Sequence, residues 1–216
     1  MKYQYNFLKY PKNLPVNINL FNSDNNEFEW HKDIEIILVG RGSATLQVKN
    51  DVFNIQKESI ILINSSEVHK LYNISKDCLI ISLYFDPCFF DKYYKDFSKL
   101  QFRCNSLLET DLDKAHYNKL TKLVSSIALS ILYNNELNSI NILKDMFNLV
   151  GYIIEHFTLT IDLYDSDLSS YHQRFNRILE YINNNYTEKI TLSDLAKREY
   201  LTTNYISRFF NKYMGV

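Results

Sequence analysis

The sequence predicts an α+β fold: a small β-barrel, then an α-helical layer, then a C-terminal helix-turn-helix unit of three helices. Three observations carry this reading. Apolar residues recur with period two between Phe28 and Phe85. The period lengthens to that of a helix after Asp86-Pro87. Two capping-box signatures and a tight break then follow in the last stretch of chain.

Taken in order, residues 1–27 are polar and Asn-rich, with Pro11 and Pro15, and read as an extended arm. Strands follow. Ile34, Ile36 and Leu38 alternate with Glu35, Ile37 and Val39; Ala44, Leu46 and Val48 alternate with Thr45, Gln47 and Lys49; Leu79, Ile81 and Leu83 alternate with Ile80 and Ser82. Gly40-Arg41-Gly42, Lys49-Asn50-Asp51 and Lys57-Glu58 supply turns between them. The unbroken run Ile60–Ile63 predicts a strand buried on both faces. A short helix is expected over 88–96, then a helix of about 20 residues capped by Asp111 and ending near Tyr133. A second long helix is expected from about Ser139 to Phe157. It carries two apolar stripes. One is Ile140, Leu143, Phe147, Val150, Ile154 and Phe157, spaced as a seam; the other is Ile142, Met146, Leu149 and Ile153. One stripe packs on the barrel or the first helix, and the other serves either the same core, as a wide apolar face usually does, or a dimer seam.

Charge is unevenly placed. The whole chain holds 24 Lys+Arg and 25 Asp+Glu, a net of −1. Residues 172–216 hold 7 basic against 4 acidic side chains, leaving +3 there and −4 on the rest. Apolar content of 46% excludes a disordered chain. Only 4 glycines, with no GxGxxG and no GxxxxGK, argue against a phosphate-cradling loop. The three cysteines lack CxxC spacing, so no disulfide framework is expected. No apolar secretory or membrane segment is read, and a cytoplasmic protein with no membrane partner is expected.

Ser170-x-x-Gln173 opens a helix with Phe175, Ile178, Leu179 and Ile182 on one face. Thr191-x-x-Asp194 opens a second, from Leu192 to Glu199. Tyr200-Leu201-Thr202 is a tight break, and Thr202 caps a third helix from Thr203 to Tyr213, ending at Gly215. This is the helix-turn-helix layout. Its third helix exposes Thr203, Asn204, Ser207, Arg208 and Asn211, residue types that read base edges and phosphates. Double-stranded DNA is the expected partner of this face.

These residues resemble a known family. Ile190 to Ala196 (ITLSDLA), followed by Leu201 to Gly215 (LTTNYISRFFNKYMG), is similar to the first helix-turn-helix of AraC/XylS-type transcription regulators. The resemblance implies that Asn204, Ser207 and Arg208 reach bases while Thr202 and Thr203 touch the backbone. Tyr200 departs from the small or glycine residue often found in the turn, a cost if that position requires positive φ. The N-terminal part is similar to the cupin-like sensor of the same family. His31-x-x-x-Glu35, then Gly42 after six residues, fits the first cupin motif, and His69-x-x-x-Asn73 fits the end of the second. Glu29 stands where the motif has its first histidine, and Glu58, Asn64 and Ser66 replace the glycines and proline of the second motif.

The resemblance implies a cupin-like barrel that senses a small molecule, with Trp30, His31, Glu35, His69, Tyr72 and Tyr84 as lining residues. A sugar suits such a set, through stacking and paired hydrogen bonds. No cofactor or metal is expected; were there one, its ligands would be Glu29, His31, Glu35 and His69. The arm, residues 1–20, would fold over the ligand, and a homodimer would form through Ile140, Leu143, Phe147, Val150 and Ile154. The expected organisation is arm and barrel over 1–110, a helical dimerisation layer over 111–161, a linker over 162–171 and a DNA-binding part over 172–216. The family carries a second helix-turn-helix, which these 216 residues do not include, so a truncated chain is expected. The expected function is therefore a ligand-responsive regulator and no enzyme. Two rivals remain: a metal-dependent cupin enzyme with a helical tail, and a truncated regulator that competes by dimerising.

Overall fold

Isoleucine-rich β4 (Ile34–Arg41) sets the architecture, because its two faces enter two different cores. Ile37 and Val39 pack inside the barrel with Ala44, Leu46, Ile55, Ile61, Ile63, Leu71 and Ile80. Ile34, Ile36 and Leu38 pack outward with Ile60, Leu62, Leu83 and Phe85 against helices. The alternation read from the sequence is real, but both phases are buried. The same holds for β7 (Ile60–Ile63), buried at all four residues.

The computed structural model describes residues 3–11, 13–21, 27–108, 114–133, 138–159, 174, 177, 178, 181, 182, 185 and 187–214. Its contacts divide the chain into two units, Met1–Leu159 and Thr160–Val216. In the first unit β1 (Tyr3–Tyr5), β3 (Phe28–Trp30), β8 (His69–Tyr72), β5 (Ser43–Val48) and β6 (Asp51–Gln56) form one sheet in that order. The facing sheet runs β2 (Val16–Phe21), β9 (Leu79–Phe85), β4, β7. The segment read as an extended arm thus supplies two strands: β1 pairs parallel with β3, and β2 pairs antiparallel with β9. Backbone pairing of this kind is non-local, so the local polar composition of residues 1–27 did not announce it.

The helix expected over 88–96 is only α1 (Pro87–Phe90), with a 3-10 turn at Phe97–Lys99. Asp86 caps α1 by accepting from the Cys88 amide at 3.0 Å, and Pro87 takes the first turn, where no amide is needed. Two long helices, α2 (Lys114–Leu132) and α3 (Asn138–Phe157), pack on each other and cover the outer face of β4 and β9. Asp111, the expected cap of α2, lies outside the described residues. On α3 the stripe Ile142, Met146, Leu149 and Ile153 is fully buried. Of the other stripe, Ile140 is 73% exposed and Phe147 39% exposed. Val150, expected at a subunit interface, is 5% exposed and belongs to the intrachain core. Ile154 packs against that core too, since a helix curving over a sheet buries more than one narrow stripe.

In the second unit the described positions Arg174, Arg177, Ile178, Tyr181, Ile182 and Asn185 are helical. The capping box Ser170/Gln173 and the helix end at Gly215 lie outside the described residues. Then come α4 (Leu192–Arg198) and α5 (Thr203–Met214). The capping box Thr191/Asp194 is formed in both directions. Thr202 Oγ1 accepts from the Tyr205 amide at 3.2 Å, capping α5. Ile178, Leu195, Ala196, Ile206 and Phe209 are buried in this unit. Arg177 holds Glu199 through two nitrogens, at 2.6 and 3.3 Å.

The break between α4 and α5 is a Schellman turn: Leu201 N–H donates to Ala196 C=O at 2.8 Å and Tyr200 N–H to Lys197 C=O at 3.3 Å. Tyr200 therefore has φ 57° and is 95% exposed, paying backbone strain with no packing in return. Tyr200→Gly is expected to stabilise this unit by about 1 kcal/mol. Urea unfolding followed by amide exchange within α4 and α5 measures it; an unchanged midpoint would show the turn to be unstrained.

Candidate functional site

Strand register brings the motif residues together. Glu29 and Trp30 end β3, and His31 follows it. β3 pairs with β8 so that Glu29 faces His69 across the sheet. In the opposite sheet Glu35 of β4 is the cross-strand partner of Tyr84 of β9. Each of these residues is buried: His31, Glu35 and Tyr84 are 1% exposed, His69 0%, Glu29 7% and Trp30 8%.

Glu35 is the hub. Its Oε2 lies 3.1 Å from His31 Nε2 and 3.0 Å from His69 Nε2. His69 Nε2 is also 3.6 Å from Glu29 Oε1. The far nitrogens are anchored by backbone: His31 Nδ1 donates to the Asp33 carbonyl at 3.0 Å and His69 Nδ1 to the Glu67 carbonyl at 2.9 Å. The two imidazoles are 5.1 Å apart, edge to face, and the Tyr84 ring is 5.3 Å from His31. Burial opposes ionisation of Glu35, but the charge of His69 beside it and the hydrogen bond from His31 override it and hold the carboxyl well below the usual range. Burial likewise opposes charging of His69, yet the carboxylates of Glu35 and Glu29 push it up to about 10. Burial, with the nearby charges of Glu35 and Glu29, raises the Tyr84 hydroxyl. Among the described residues, His69 Nε2, Ser82 Oγ and Tyr84 Oη are buried without an aligned hydrogen-bond partner.

The arm closes one side of this cluster. Tyr5 stands edge-on to Trp30 at 4.4 Å. Asn6 donates its side-chain amide to Glu29 at 3.0 Å and its backbone N–H to Trp30 C=O. Tyr10 donates to Asp33, whose backbone carbonyl orients His31. Tyr5, Asn6, Tyr10 and Asp33 were missed in the sequence, because only the parallel β1–β3 pairing brings them here.

Of the six lining residues expected, His31, Glu35, His69 and Tyr84 converge. Trp30 does not: it follows Glu29 on β3 and so lies on the other face of the sheet, with Phe28 and against Tyr5. Nor does Tyr72. It lies three residues from His69 on a strand, hence on the opposite face, half-buried beneath the ammonium of Lys70 at 4.8 Å. The two cupin-motif glycine positions explain themselves: Glu58 and Ser66 both have positive φ, 73° and 66°.

On the helix-turn-helix, Thr202, Thr203, Asn204 and Arg208 are exposed and Ser207 is half-buried. Asn204 and Arg208, one turn apart on α5, project from the same side. Three of the unit's arginines are engaged within it: Arg174 donates to Tyr205, Arg177 pairs with Glu199, and Arg198 lies over the Tyr181 ring.

Residues 21–138 match the family model of the AraC-like ligand binding domain. The chain is 24% identical over 192 residues to the uncharacterized HTH-type transcriptional regulator YdeC of Bacillus subtilis (strain 168), covering 86% of this chain and 65% of that protein. It thus spans just under two thirds of the relative's length. Among solved structures it is similar to apo ToxT from Vibrio cholerae, with TM-score 0.53 and 14% identity over 93% of this chain and 76% of that one. It is also similar to ToxT with an unsaturated fatty acid bound, with TM-score 0.52 and 14% identity over 95% and 76%. Those likenesses show the fold, a cupin-like barrel with helices in an α+β chain. The family match covers more than half of the sequence, and the chain belongs to the AraC-like ligand-binding domain family.

Proposed function

We propose that the chain acts as an AraC-type transcription regulator and not as an enzyme. A small-molecule effector binds the barrel, α5 reads double-stranded DNA, and two copies pair through the helical layer. The observation that carries this is the coexistence, in one chain of this family, of an arm-covered polar cluster and a capped helix-turn-helix. In this reading residues 1–110 sense, 111–161 pair, 162–171 link and 172–216 contact DNA, all in the cytoplasm. His31, Glu35, His69 and Tyr84 contact the effector. Thr202 and Thr203 take phosphates, and Asn204, Ser207 and Arg208 take bases. The pairing face keeps Ile140, Leu143 and Phe147 of the expected set.

The site favours a polar effector such as a sugar. Two buried carboxylates would repel the carboxylate of a fatty acid, the ligand class that ToxT binds in its solved complex. A hydroxyl-bearing ligand matches the orphaned Tyr84 and Ser82 oxygens. Binding would reach Glu29, which the arm also holds through Asn6, so ligand and arm compete or cooperate for the same group.

A thermal-shift screen of sugars, polyols and hydroxy acids tests this. A true effector present at about 100 times its Kd raises stability by about 2.7 kcal/mol. The response is expected to be lost in Tyr84→Phe, which removes only a buried hydroxyl without an aligned partner. A screen with no stabilising polar metabolite, or a response untouched by Tyr84→Phe, would overturn the assignment of the site.

A further inference from the structure

A proline has no backbone N–H to donate and no side-chain amide. Asn64 stands at the proline position of the second cupin motif, and the fold uses both of the groups it adds. Its Oδ1 accepts from Phe102 N–H at 2.8 Å, and its Nδ2 donates to Phe102 C=O at 3.0 Å. The side-chain amide thus takes the place of a neighbouring strand residue. Both partners are buried. Glu67 holds Asn64 in turn: its Oε2 accepts from the Asn64 backbone N–H at 2.9 Å and from Nδ2 at 3.3 Å.

Both sides of this clamp lead somewhere. On one side lies the barrel cluster. Asn64 follows Ile63, the cross-strand partner of Glu35, and the Glu67 carbonyl anchors His69 Nδ1. On the other side lies the strap 101–106, which alternates its bonds as a strand does. Its even residues face β7: beyond the Phe102 clamp, Cys104 C=O accepts from Leu62 N–H at 2.9 Å and Ser106 N–H donates to Ile60 C=O at 3.1 Å. Its odd residues hold the end of α3: Arg103 N–H donates to Phe157 C=O at 2.8 Å, and Gln101 C=O accepts from Leu159 N–H at 2.9 Å. Phe102 and Thr158 pair between these two bonds. Leu159 is the last residue of the first unit.

We propose that Asn64 is a positioning residue that couples the barrel cluster to the end of α3, where the chain leaves the first unit. A ligand that displaces Glu35 or His69 moves Ile63 or Glu67, and both act on Asn64. The two bonds to Phe102 pass that movement to the strap, and the strap passes it to residues 157–159. Close packing and a complete set of hydrogen bonds leave this route no slack in which a small displacement is lost. The coupling presupposes that the barrel is the sensor, as proposed above, and supplies the way its state leaves the barrel.

The test uses the full chain and needs neither effector nor DNA. Asn64→Ala should speed hydrogen exchange of the Arg103 and Leu159 amides by about 10-fold or more, as two buried hydrogen bonds are lost. That much a structural role also predicts. The deciding readout is the effect of Glu35→Gln, made at the cluster, on the NMR shifts of the same two amides. It should displace both signals in the wild-type background and leave them in place in Asn64→Ala. Ser59→Ala, which removes the acceptor of the Gln56 amide elsewhere in the barrel, is the control background and should keep the displacement. If Asn64→Ala fails to fold, Glu67→Ala cuts the same hold at a less buried side chain and should shrink the displacement. Signals that Glu35→Gln leaves unmoved in the wild type, or moves as far without Asn64 or Glu67 as with them, overturn the proposal. A metabolite that stabilises the barrel while these amides stay uncoupled from Glu35 defeats the coupling alone. Coupled amides with no metabolite response defeat the effector reading alone.

Discussion

Replacing Glu35 by Ala should lower the stability of the first unit by about 3–5 kcal/mol, the cost of stripping one partner from a buried charge cluster. Glu35 is 1% exposed, and its carboxylate is the group that both His31 and His69 face. Without it, two buried imidazoles 5.1 Å apart face each other with no counter-charge except Glu29. At this size each kcal/mol moves the melting temperature by roughly 2–4 °C, so a fall of about 10 °C is expected by circular dichroism. The informative companion is the triple change Glu35→Leu, His31→Leu and His69→Leu. Buried ionic groups replaced together by apolar ones are often neutral or stabilising. Recovery to within about 2 kcal/mol of the wild type would show that folding does not require the cluster, leaving binding as its purpose. A triple variant as unstable as Glu35→Ala would instead make the cluster a structural element.

Phe97→Ala should cost about 3–5 kcal/mol as well, by a different route. Phe97 lies on the 3-10 turn and is fully buried. Its ring meets Phe90 at 5.5 Å, Phe102 at 5.8 Å and Phe85 at 6.5 Å. Phe85 is the end of β9, so this group seals the outer sheet face under the helical layer. Truncation opens a cavity that rigid strand ends cannot collapse into. Tyr94, 45% exposed on the same connection, is the control, and Tyr94→Ala should change stability by less than about 1 kcal/mol. Urea midpoints at unchanged slope would measure both. Equal effects from the two substitutions would mean that the aromatic group is not the seal.

Much of this was legible in the residues. Period-two runs located β4, β5 and β9, and the resemblance of His31, Glu35 and His69 to the cupin motifs picked the members of the buried cluster. Thr191 with Asp194, and Thr202, marked the starts of α4 and α5 through capping chemistry, which is local and therefore readable. What escaped was non-local or a matter of parity. Tyr72 was legible as misplaced, because an offset of three from His69 reverses the face of a strand. Val150 looked like part of a seam, but α3 packs on α2 and shares one core with the outer sheet face, and so buries a wide arc. The arm's grip through Asn6 and Tyr10 depends on the parallel β1–β3 ladder, and no local pattern encodes it. Positive φ at Glu58, Ser66 and Tyr200 falls where the family motifs favour glycine or another small residue, so the departures in sequence marked real strain points.

The central claim is that this chain reads DNA through α5. Selection from a pool of random-sequence duplexes at low salt tests it most directly, because no operator need be known. The wild type is expected to enrich a short motif containing guanine, since Arg208 is exposed and one turn from Asn204. Arg208→Ala should lose preference at that guanine, with a fall in affinity for the motif of roughly 5- to 150-fold, corresponding to about 1–3 kcal/mol. Lys197→Ala, exposed on α4, should weaken binding evenly across sequences through the salt-dependent phosphate contribution. A wild type that enriches nothing, or an Arg208→Ala variant that enriches the same motif with the same affinity, would contradict the claim.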